Sequence, residues 1–139
     1  MQTEFVIQTR GPGLTEFTDE VARFVKTAGV ETGLLTLFVR HTSCSILVQE
    51  NADPDVQRDL TEFFARLVPH SNAPSMKWVI HTAEGPDDMP AHIKAALMQV
   101  SISIPIAQGR LALGTWQGLY LFEHRDAPHS RRIAGHISG

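Results

Sequence analysis

Residues 81–92, HTAEGPDDMPAH, concentrate side chains that can do chemistry: two histidines and three carboxylates, together with one glycine and two prolines. Imidazoles and carboxylates exchange protons near neutral pH and also bind divalent cations. The stretch is therefore the first candidate for a functional site. The alternative is a polar turn in front of a helix.

The spacing within this stretch separates the residues that build the turn from the residues that do not. Gly85 and Pro86 predict a turn, and Pro90 is typical of the first turn of a helix. Capping that helix explains one of the two adjacent aspartates but not both. We expect His81, Glu84, Asp87 and His92 to converge around one small volume, with His92 four residues after Asp88 and close to it.

A cluster of this composition needs a cation. Adjacent carboxylates repel each other, so a site that holds them together usually contains a metal ion, a proton or a basic partner. Oxygen ligands with imidazoles suit Mg²⁺, Mn²⁺ or Zn²⁺. No standard metal-binding signature such as HExxH is present in the chain.

A second polar cluster, RHTSCS at 40–45, interrupts two apolar segments. His41 with the hydroxyls of Thr42 and Ser43 could face a pocket, or the hydroxyls could bond their own backbone in a turn. Cys44 is the only cysteine, so there is no intrachain disulfide. We interpret it as an inert, small apolar side chain rather than a nucleophile.

Two further stretches carry polar side chains without an obvious structural duty. In QENADPD (49–55), Asp53 caps the helix that starts at Pro54, whereas Glu50 and Asn51 are left over. In GTWQGLYLFEHR (114–125), Gln117 and Glu123 lie on an otherwise apolar strand face. Because buried polar groups require partners, we expect both to point into the same pocket as residues 81–92, called the acidic loop below.

The elements that must position these residues are mixed. Strands are predicted at 4–9, at 33–40 (buried on both faces), at 45–49 and at 77–81, with four short β-like segments in the last third. Helices are predicted from Leu14 to a C-cap at Gly29, from a cap at Asp53 to Pro69 with a buried stripe, and from Pro90. No regular βαβ rhythm is present. The pattern therefore favours an α+β fold, a largely antiparallel sheet with about three packed helices, as one domain over residues 1–139.

Bulk properties narrow the function classes. A net charge of −3 argues against a nucleic-acid binder, and a local bunch of Arg125, Arg131 and Arg132 either binds phosphate or is solvated surface charge. No apolar run approaches the roughly 20 residues that span a bilayer. The N-terminal stretch does not read as a signal peptide, so we expect a cytoplasmic protein without a membrane or nucleic-acid partner.

Four segments, taken together and in order, resemble the YjbQ-like proteins of the UPF0047 family. They are HTSCSILVQENADPDVQRDL (41–60), HTAEGPDDMPAHIKAAL (81–97), IPIAQGRLALGTWQGLYLFEHR (104–125) and RRI (131–133). The resemblance runs from about Phe5 to Ile137. At Cys44 the family accepts alanine, which argues against a required thiol.

The resemblance implies an α+β fold, a homotrimer with sites near subunit boundaries, and weak thiamine-phosphate synthase activity. That reaction joins a hydroxymethylpyrimidine diphosphate to a thiazole phosphate and releases pyrophosphate. On this basis we expect the catalytic residues to be His41, His81, Glu84, Asp87, Asp88, His92 and Glu123. We expect the substrate-binding residues to be Thr42, Ser43, Glu50, Asn51, Asp53, Trp116, Gln117 and Arg125.

Within this scheme the expected partner is a small phosphorylated or anionic metabolite. A divalent cation, Mg²⁺ or Zn²⁺, would neutralise a leaving diphosphate, and His41, His81 and His92 are its candidate imidazole ligands. Trp116 could stack on an aromatic ring. Two alternatives stay open: a metal-dependent hydrolase or lyase that uses the same residues on another metabolite, and a non-catalytic ligand-binding trimer.

Overall fold

Strands dominate the chain, as the sequence predicts. The computed structural model describes residues 1–139 and contains eight strands, three α-helices and a short 3₁₀ turn at Pro74–Met76. The strands are β1 (Gln2–Gln8), β2 (Gly13–Glu16), β3 (Thr32–Val39), β4 (Cys44–Glu50), β5 (Ser101–Ala107), β6 (Arg110–Leu111), β7 (Gln117–Glu123) and β8 (Ser130–Ser138). The helices are α1 (Thr18–Ala28), α2 (Pro54–Leu67) and α3 (Asp88–Leu97).

Two antiparallel sheets form the framework, and they confirm the α+β fold class. One has five strands in the order β1-β8-β3-β5-β6, and the other has three in the order β2-β7-β4. A single hydrophobic core of 15 buried residues draws side chains from both sheets and from α1. Central β7 carries Leu119, Tyr120, Leu121 and Phe122, all buried.

Helix α1 begins later than the sequence predicts. Leu14 belongs to β2, where it pairs with Phe122 of β7, so the prediction of a helix from Leu14 is wrong. The apolar spacing misled because β2 is only four residues long and runs almost directly into the helix. The end of α1 is confirmed, since Gly29 closes it in the left-handed conformation at φ 66°.

Helix α2 has the predicted start but not the predicted buried stripe. The Asp53 side chain accepts a hydrogen bond from the Asp55 N–H at 2.9 Å, and Pro54 opens the helix. No residue of α2 is fully buried, and Phe63 and Leu67 are more than half exposed. The helix is amphipathic in sequence, but within one chain only part of its apolar side packs against the rest of the protein.

Two strand predictions also need correction. Strand β3 buries Leu35 and Leu37 but exposes Leu34 and Phe38, because no helix covers the outer face of the five-stranded sheet. Residues 77–81 form no strand and have no ladder partner, and Ile80 is almost fully exposed. None of the helices is both long enough and apolar enough to cross a membrane.

Candidate functional site

The acidic loop and the first turn of α3 form one compact unit. Gly85 adopts φ 99°, a conformation that other residues avoid, and its N–H donates to the Thr82 carbonyl at 3.2 Å. The chain then turns so that Asp88 becomes the first residue of α3. His92 lies one helical turn later, on the same face as Asp88.

The structure brings His81, Asp88 and His92 together. Asp88 Oδ2 lies 2.7 Å from His81 Nε2 and 3.1 Å from His92 Nε2. Asp88 is 1% exposed, whereas about half of the His81 side chain and a third of the His92 side chain are open to solvent. The carboxylate therefore forms the floor of a shallow site, and the two imidazoles form its accessible walls.

The hydrogen bonding of His92 contains an internal conflict. Its Nδ1 lies 2.8 Å from the Thr42 carbonyl, which can only accept, so Nδ1 carries a proton. Its Nε2 faces the Asp88 carboxylate, which also only accepts. A neutral ring has one N–H and cannot donate to both. Either the ring carries two protons or a cation stands between Nε2 and the carboxylate.

Arg125 fixes the two adjacent aspartates from the other side. Its Nε donates to Asp87 Oδ2 at 2.8 Å and its Nη2 to the Glu84 carbonyl at 3.2 Å, while Nη1 forms an ion pair with Asp88 Oδ1 at 2.9 Å. Burial alone would raise the pKa of Asp88, but the hydrogen bond from His81 and the positive charges nearby outweigh it, so the pKa lies below its ordinary value. Asp88 is thus an anion at neutral pH.

The donor set fits a divalent cation. The ligand atoms of His81, Asp88 and His92 all lie within 4.8 Å of one another. Two imidazoles and one carboxylate are a donor set for Zn²⁺ and similar ions, and such sites keep further coordination positions open. The Thr42 carbonyl bonded to His92 Nδ1 is the outer contact that metal-binding histidines typically make.

His41 lies outside this group. Its Nε2 accepts a hydrogen bond from the Arg132 N–H at 2.8 Å, so that nitrogen is already occupied. Burial, followed by the charge of Arg131, lowers the pKa of His41. The structure therefore does not bring the third predicted imidazole ligand to His81 and His92.

Glu123 occupies a separate, fully buried centre. Its two oxygens accept five hydrogen bonds, from the Thr9 hydroxyl, the backbone N–H groups of His124 and Arg125, and Nε and Nη2 of Arg131. Burial would raise the pKa of Glu123, yet these donors hold it below its ordinary value. A carboxylate with every acceptor position filled has no capacity left to take a substrate proton.

Ser43 and Cys44 belong to the surroundings of this buried centre. The Ser43 hydroxyl and carbonyl accept from Arg131 Nη2 at 2.9 and 3.3 Å. Cys44 pairs directly with Glu123 across β4 and β7, and burial raises the pKa of its thiol to about 12. An inert thiol, as the sequence predicts, follows from that shift.

The predicted residues around Glu50 and Gln117 lie at the end of the three-stranded sheet opposite Glu123. They are Glu50, Asn51, Asp53, Trp116 and Gln117. Cys44 pairs with Glu123, whereas Glu50 pairs with Gln117. Six strand positions separate these two pairs, which is about 20 Å. The expectation that Gln117 and Glu123 point into one pocket is therefore wrong for a single chain.

At that far end only some of the predicted residues have local contacts. Gln117 Oε1 accepts from the Gly114 N–H at 2.7 Å, and the Trp116 carbonyl accepts from the Asn51 N–H at 3.0 Å. Asp53 serves as the cap of α2. The Trp116 ring is 63% exposed and stacks on no other aromatic ring of the chain. Glu50 keeps one buried carboxylate oxygen without a hydrogen-bond partner.

Sequence reasoning missed the role of Arg131 as the partner of Glu123. The signal was available, because Arg131 alternates with Ile133 and Ile137 on the inward face of β8. A basic residue in register with buried isoleucines predicts a buried ion pair. Arg132, its neighbour, points outward and pairs with Glu4.

Comparison with known proteins gives a consistent result. A family model described as "UPF0047 protein YjbQ-like" matches residues 3–139. The UPF0047 protein sll1880 of Synechocystis is 52% identical over 99% of this chain and 91% of its own length. The UPF0047 protein YjbQ of Salmonella typhimurium is 41% identical over 99% of this chain and 97% of its own.

Solved structures agree with the fold. A YjbQ/UPF0047 family protein from Clostridium acetobutylicum superposes with a TM-score of 0.85 at 35% identity, covering 98% of this chain and 99% of its own. A hypothetical protein from Aeropyrum pernix superposes with a TM-score of 0.87 at 28% identity, covering 100% and 98%.

Proposed function

The chain belongs to the UPF0047 family of YjbQ-like proteins, and we propose that it is an enzyme that binds a divalent metal ion through His81, Asp88 and His92. The observation that carries the proposal is that ligand atoms of these three residues lie together, and that each ring nitrogen of His92 faces an acceptor. Two nitrogen donors favour Zn²⁺ over Mg²⁺, which prefers oxygen.

The surrounding residues have defined roles in this proposal. The Thr42 carbonyl holds the His92 ring in one orientation, and Arg125 fixes Asp88 through its other oxygen. His81 is half exposed and points its Nε2 toward Asp88 Oδ2 at 2.7 Å, so it is the ligand most open to solvent. A divalent ion held by His81, Asp88 and His92 would supply Lewis-acid polarisation of a substrate oxygen.

Arg125 is less suited to substrate binding than the sequence suggests. All three of its nitrogens are engaged by the acidic loop. We therefore assign it a positioning role. In this proposal the charge of an anionic or phosphorylated substrate is met by the metal ion instead of by an arginine.

For the reaction, we propose thiamine-phosphate synthesis as the first activity to assay, as the family resemblance implies. The alternative is a metal-dependent hydrolase or lyase, favoured by the solvent-accessible walls of the site, through which water reaches the ligand atoms. One assay with the hydroxymethylpyrimidine diphosphate separates transfer from hydrolysis of that compound. Pyrophosphate released only when the thiazole phosphate is present indicates the transferase, and orthophosphate or pyrophosphate released without it indicates a hydrolase that directs water to phosphorus or to carbon.

The decisive variants for this proposal are Asp88→Asn and His92→Ala, with His136→Ala as the control. His136 is an exposed histidine on β8, away from the site. We expect about one zinc per chain in the wild type and the control, and a loss of both metal and turnover in the two site variants. Wild-type turnover by a folded Asp88→Asn protein would overturn the assignment.

We also propose that the protein is a cytoplasmic homotrimer. The resemblance implies the trimer, and the apolar side chains of Val6, Leu34 and Phe38, exposed on the outer face of the five-stranded sheet, support association. Sedimentation equilibrium should give three times the 15.4 kDa mass of one chain. A monomer that retains full turnover would contradict assembly and would leave a non-catalytic binding trimer without support.

A further inference from the structure

A cavity of about 80 Å³ lies between α2 and α3, beside the end of β7. Its apolar walls include Phe64 and Phe122, and its polar lining consists of His70, Asp87, Lys94, Glu123, His124 and Asp126 together with Thr61. The lining residues Ala65, His70 and Asp126 are exposed, so the cavity opens to solvent on their side. The metal proposal gives this cavity no role.

Lys94 is the member of the lining whose polar atom has no partner and is still accessible. It follows His92 by two positions, so at 3.6 residues per turn the two side chains leave opposite flanks of α3. The Lys94 Nζ makes no hydrogen bond and no ion pair within the chain, and it is not completely enclosed by other atoms. A molecule that enters the cavity can therefore reach a free amino group.

The charges around Lys94 locate its amino group inside the cavity. Burial, and then the charge of Lys94, lower the pKa of His124 to about 3. Burial also lowers the pKa of Lys94, and the charges that oppose this effect are those of Asp126 and Asp87. All three neighbours line the cavity, so the amino group lies among them rather than outside in solvent.

The same charges decide which class of molecule fits. Asp87 Oδ2 accepts from Arg125 Nε, and Asp126 Oδ2 lies 2.8 Å from His70 Nε2, so each carboxylate has a partner other than Lys94. An anion in the cavity would still be repelled by both carboxylates, whereas an uncharged molecule would not. A lysine amine beside apolar walls is an arrangement that favours imine formation with carbonyl compounds.

We propose that Lys94 forms a reversible imine with a small, uncharged aldehyde that enters this cavity. The Nζ lone pair attacks the carbonyl carbon, and the oxygen takes up the proton that the nitrogen releases. Loss of water from this carbinolamine leaves the C=N bond. The hydrogen-bonded side chains of His70 and Asp126 line the same cavity and can carry the proton from nitrogen to oxygen.

The size of the cavity limits the aldehyde to a chain of a few carbons, since one water already needs roughly 10–15 Å³ of such space. The preference for Lys94 arises because the cavity holds the aldehyde beside the amine. It does not depend on the metal site.

The test treats the purified protein with propanal and cyanoborohydride, which reduces an imine to a stable secondary amine, and locates the products by peptide mass spectrometry. The chain has only two other lysines, Lys26 and Lys77, and both are exposed. We expect Lys94 to react faster than either by a factor of roughly ten or more, at a rate that saturates with propanal. We expect 1-propanol, which has the same chain but no carbonyl, to slow the reaction at Lys94 alone.

A plugging variant controls for the location of the reaction. Ala65 lines the cavity from the exposed side of α2, so Ala65→Phe should fill the cavity and remove the advantage of Lys94 over Lys26. Equal or linear rates at the three lysines of the wild type would overturn the proposal, as would an unchanged Lys94 rate in Ala65→Phe. A greater preference for Lys94 over Lys26 with the glyoxylate anion than with propanal would overturn it in favour of an anion site.

Discussion

Two buried carboxylates, Glu123 and Asp88, meet arginines in this protein but differ in what else surrounds them. Glu123 is 0% exposed, and its five hydrogen bonds come from groups that hold their protons permanently at neutral pH. Asp88 offers Oδ2 to two imidazoles, His81 and His92, which are partly open to solvent. A saturated carboxylate stabilises the fold, whereas one bordered by accessible ligand atoms can take part in chemistry.

Arg125 connects the two centres. Its backbone N–H donates to Glu123 Oε2 at 3.1 Å, and its side chain clamps Asp87 and Asp88. The buried centre thus fixes the backbone from which the clamp reaches the acidic loop. Substitution of Glu123 should therefore displace the Arg125 side chain from the candidate metal site. Substitution of Asp88 should leave the buried pair of Glu123 and Arg131 in place.

The largest expected effect is on stability at the buried centre. Glu123→Gln leaves the Arg131 guanidinium buried without a countercharge, which should lower the free energy of unfolding by roughly 3–5 kcal/mol. Asp88→Asn should lower it by less than half as much, because Arg125 keeps Asp87 as a partner. Urea denaturation of both variants makes the comparison, and equal losses would remove the distinction between the two centres.

A milder variant keeps this prediction measurable if Glu123→Gln fails to fold. Thr9→Val removes one of the five donors to Glu123 while preserving side-chain shape. The expected loss is about 1.5–3 kcal/mol, the range for a hydrogen bond to a charged group. An unchanged stability would show that the network is less tightly coupled than its geometry indicates.

The next largest effect is expected on zinc affinity when Arg125, which connects the two centres, is substituted. Arg125→Met removes the clamp on Asp87 and Asp88 but keeps the backbone N–H on Glu123. Zinc affinity, measured by calorimetry, should fall roughly 10–100-fold, as is typical when an outer contact of a ligand is lost. Arg132→Met, which breaks only a surface pair with Glu4, is the control and should bind zinc like the wild type.

The pH dependence of stability tests the contribution of the Glu123 charge. Because the pKa of Glu123 in the folded protein lies below its ordinary value of 4.5, its contribution is complete above pH 4.5. The contribution is lost as the pH falls from there through the lowered value. Wild-type unfolding free energy should therefore drop steeply in acid, and the Glu123→Gln curve should be flatter. Parallel curves would contradict this account.

The smallest expected effect concerns the thiol beside Glu123. With a pKa of about 12 and no solvent exposure, Cys44 should react with a disulfide reagent at pH 8 only when the region opens. The labelling rate should rise by orders of magnitude in urea. Cys44→Ala should keep wild-type turnover, and a turnover loss in the folded variant would reinstate the thiol as a functional group.

The contacts of the site that the sequence predicts are those between residues close together along the chain. His92 follows Asp88 by one helical turn, so their meeting is a local consequence of α3 and could be predicted. The same holds for the cap of α2 at Asp53. The pairing of Glu123 with Arg131, and the separation of Gln117 from Glu123, follow from strand lengths and register.

The failures at the level of elements have a similar cause. Residues 77–81 have strand-forming composition, but they pair with no strand of either sheet. The apolar Leu34 and Phe38 of β3 predict burial, yet the sheet face that carries them has no helix over it. Composition determines what a segment can form, whereas the partners that complete it come from distant parts of the chain.

The central claim is that His81, Asp88 and His92 bind one metal ion, and X-ray absorption spectroscopy of the zinc-loaded protein tests it most directly. We predict a first shell of nitrogen and oxygen with two imidazoles, unchanged in the His136→Ala control and lost together with the zinc in His92→Ala. A spectrum that contains sulfur, or one that His92→Ala leaves unchanged, would contradict the assignment.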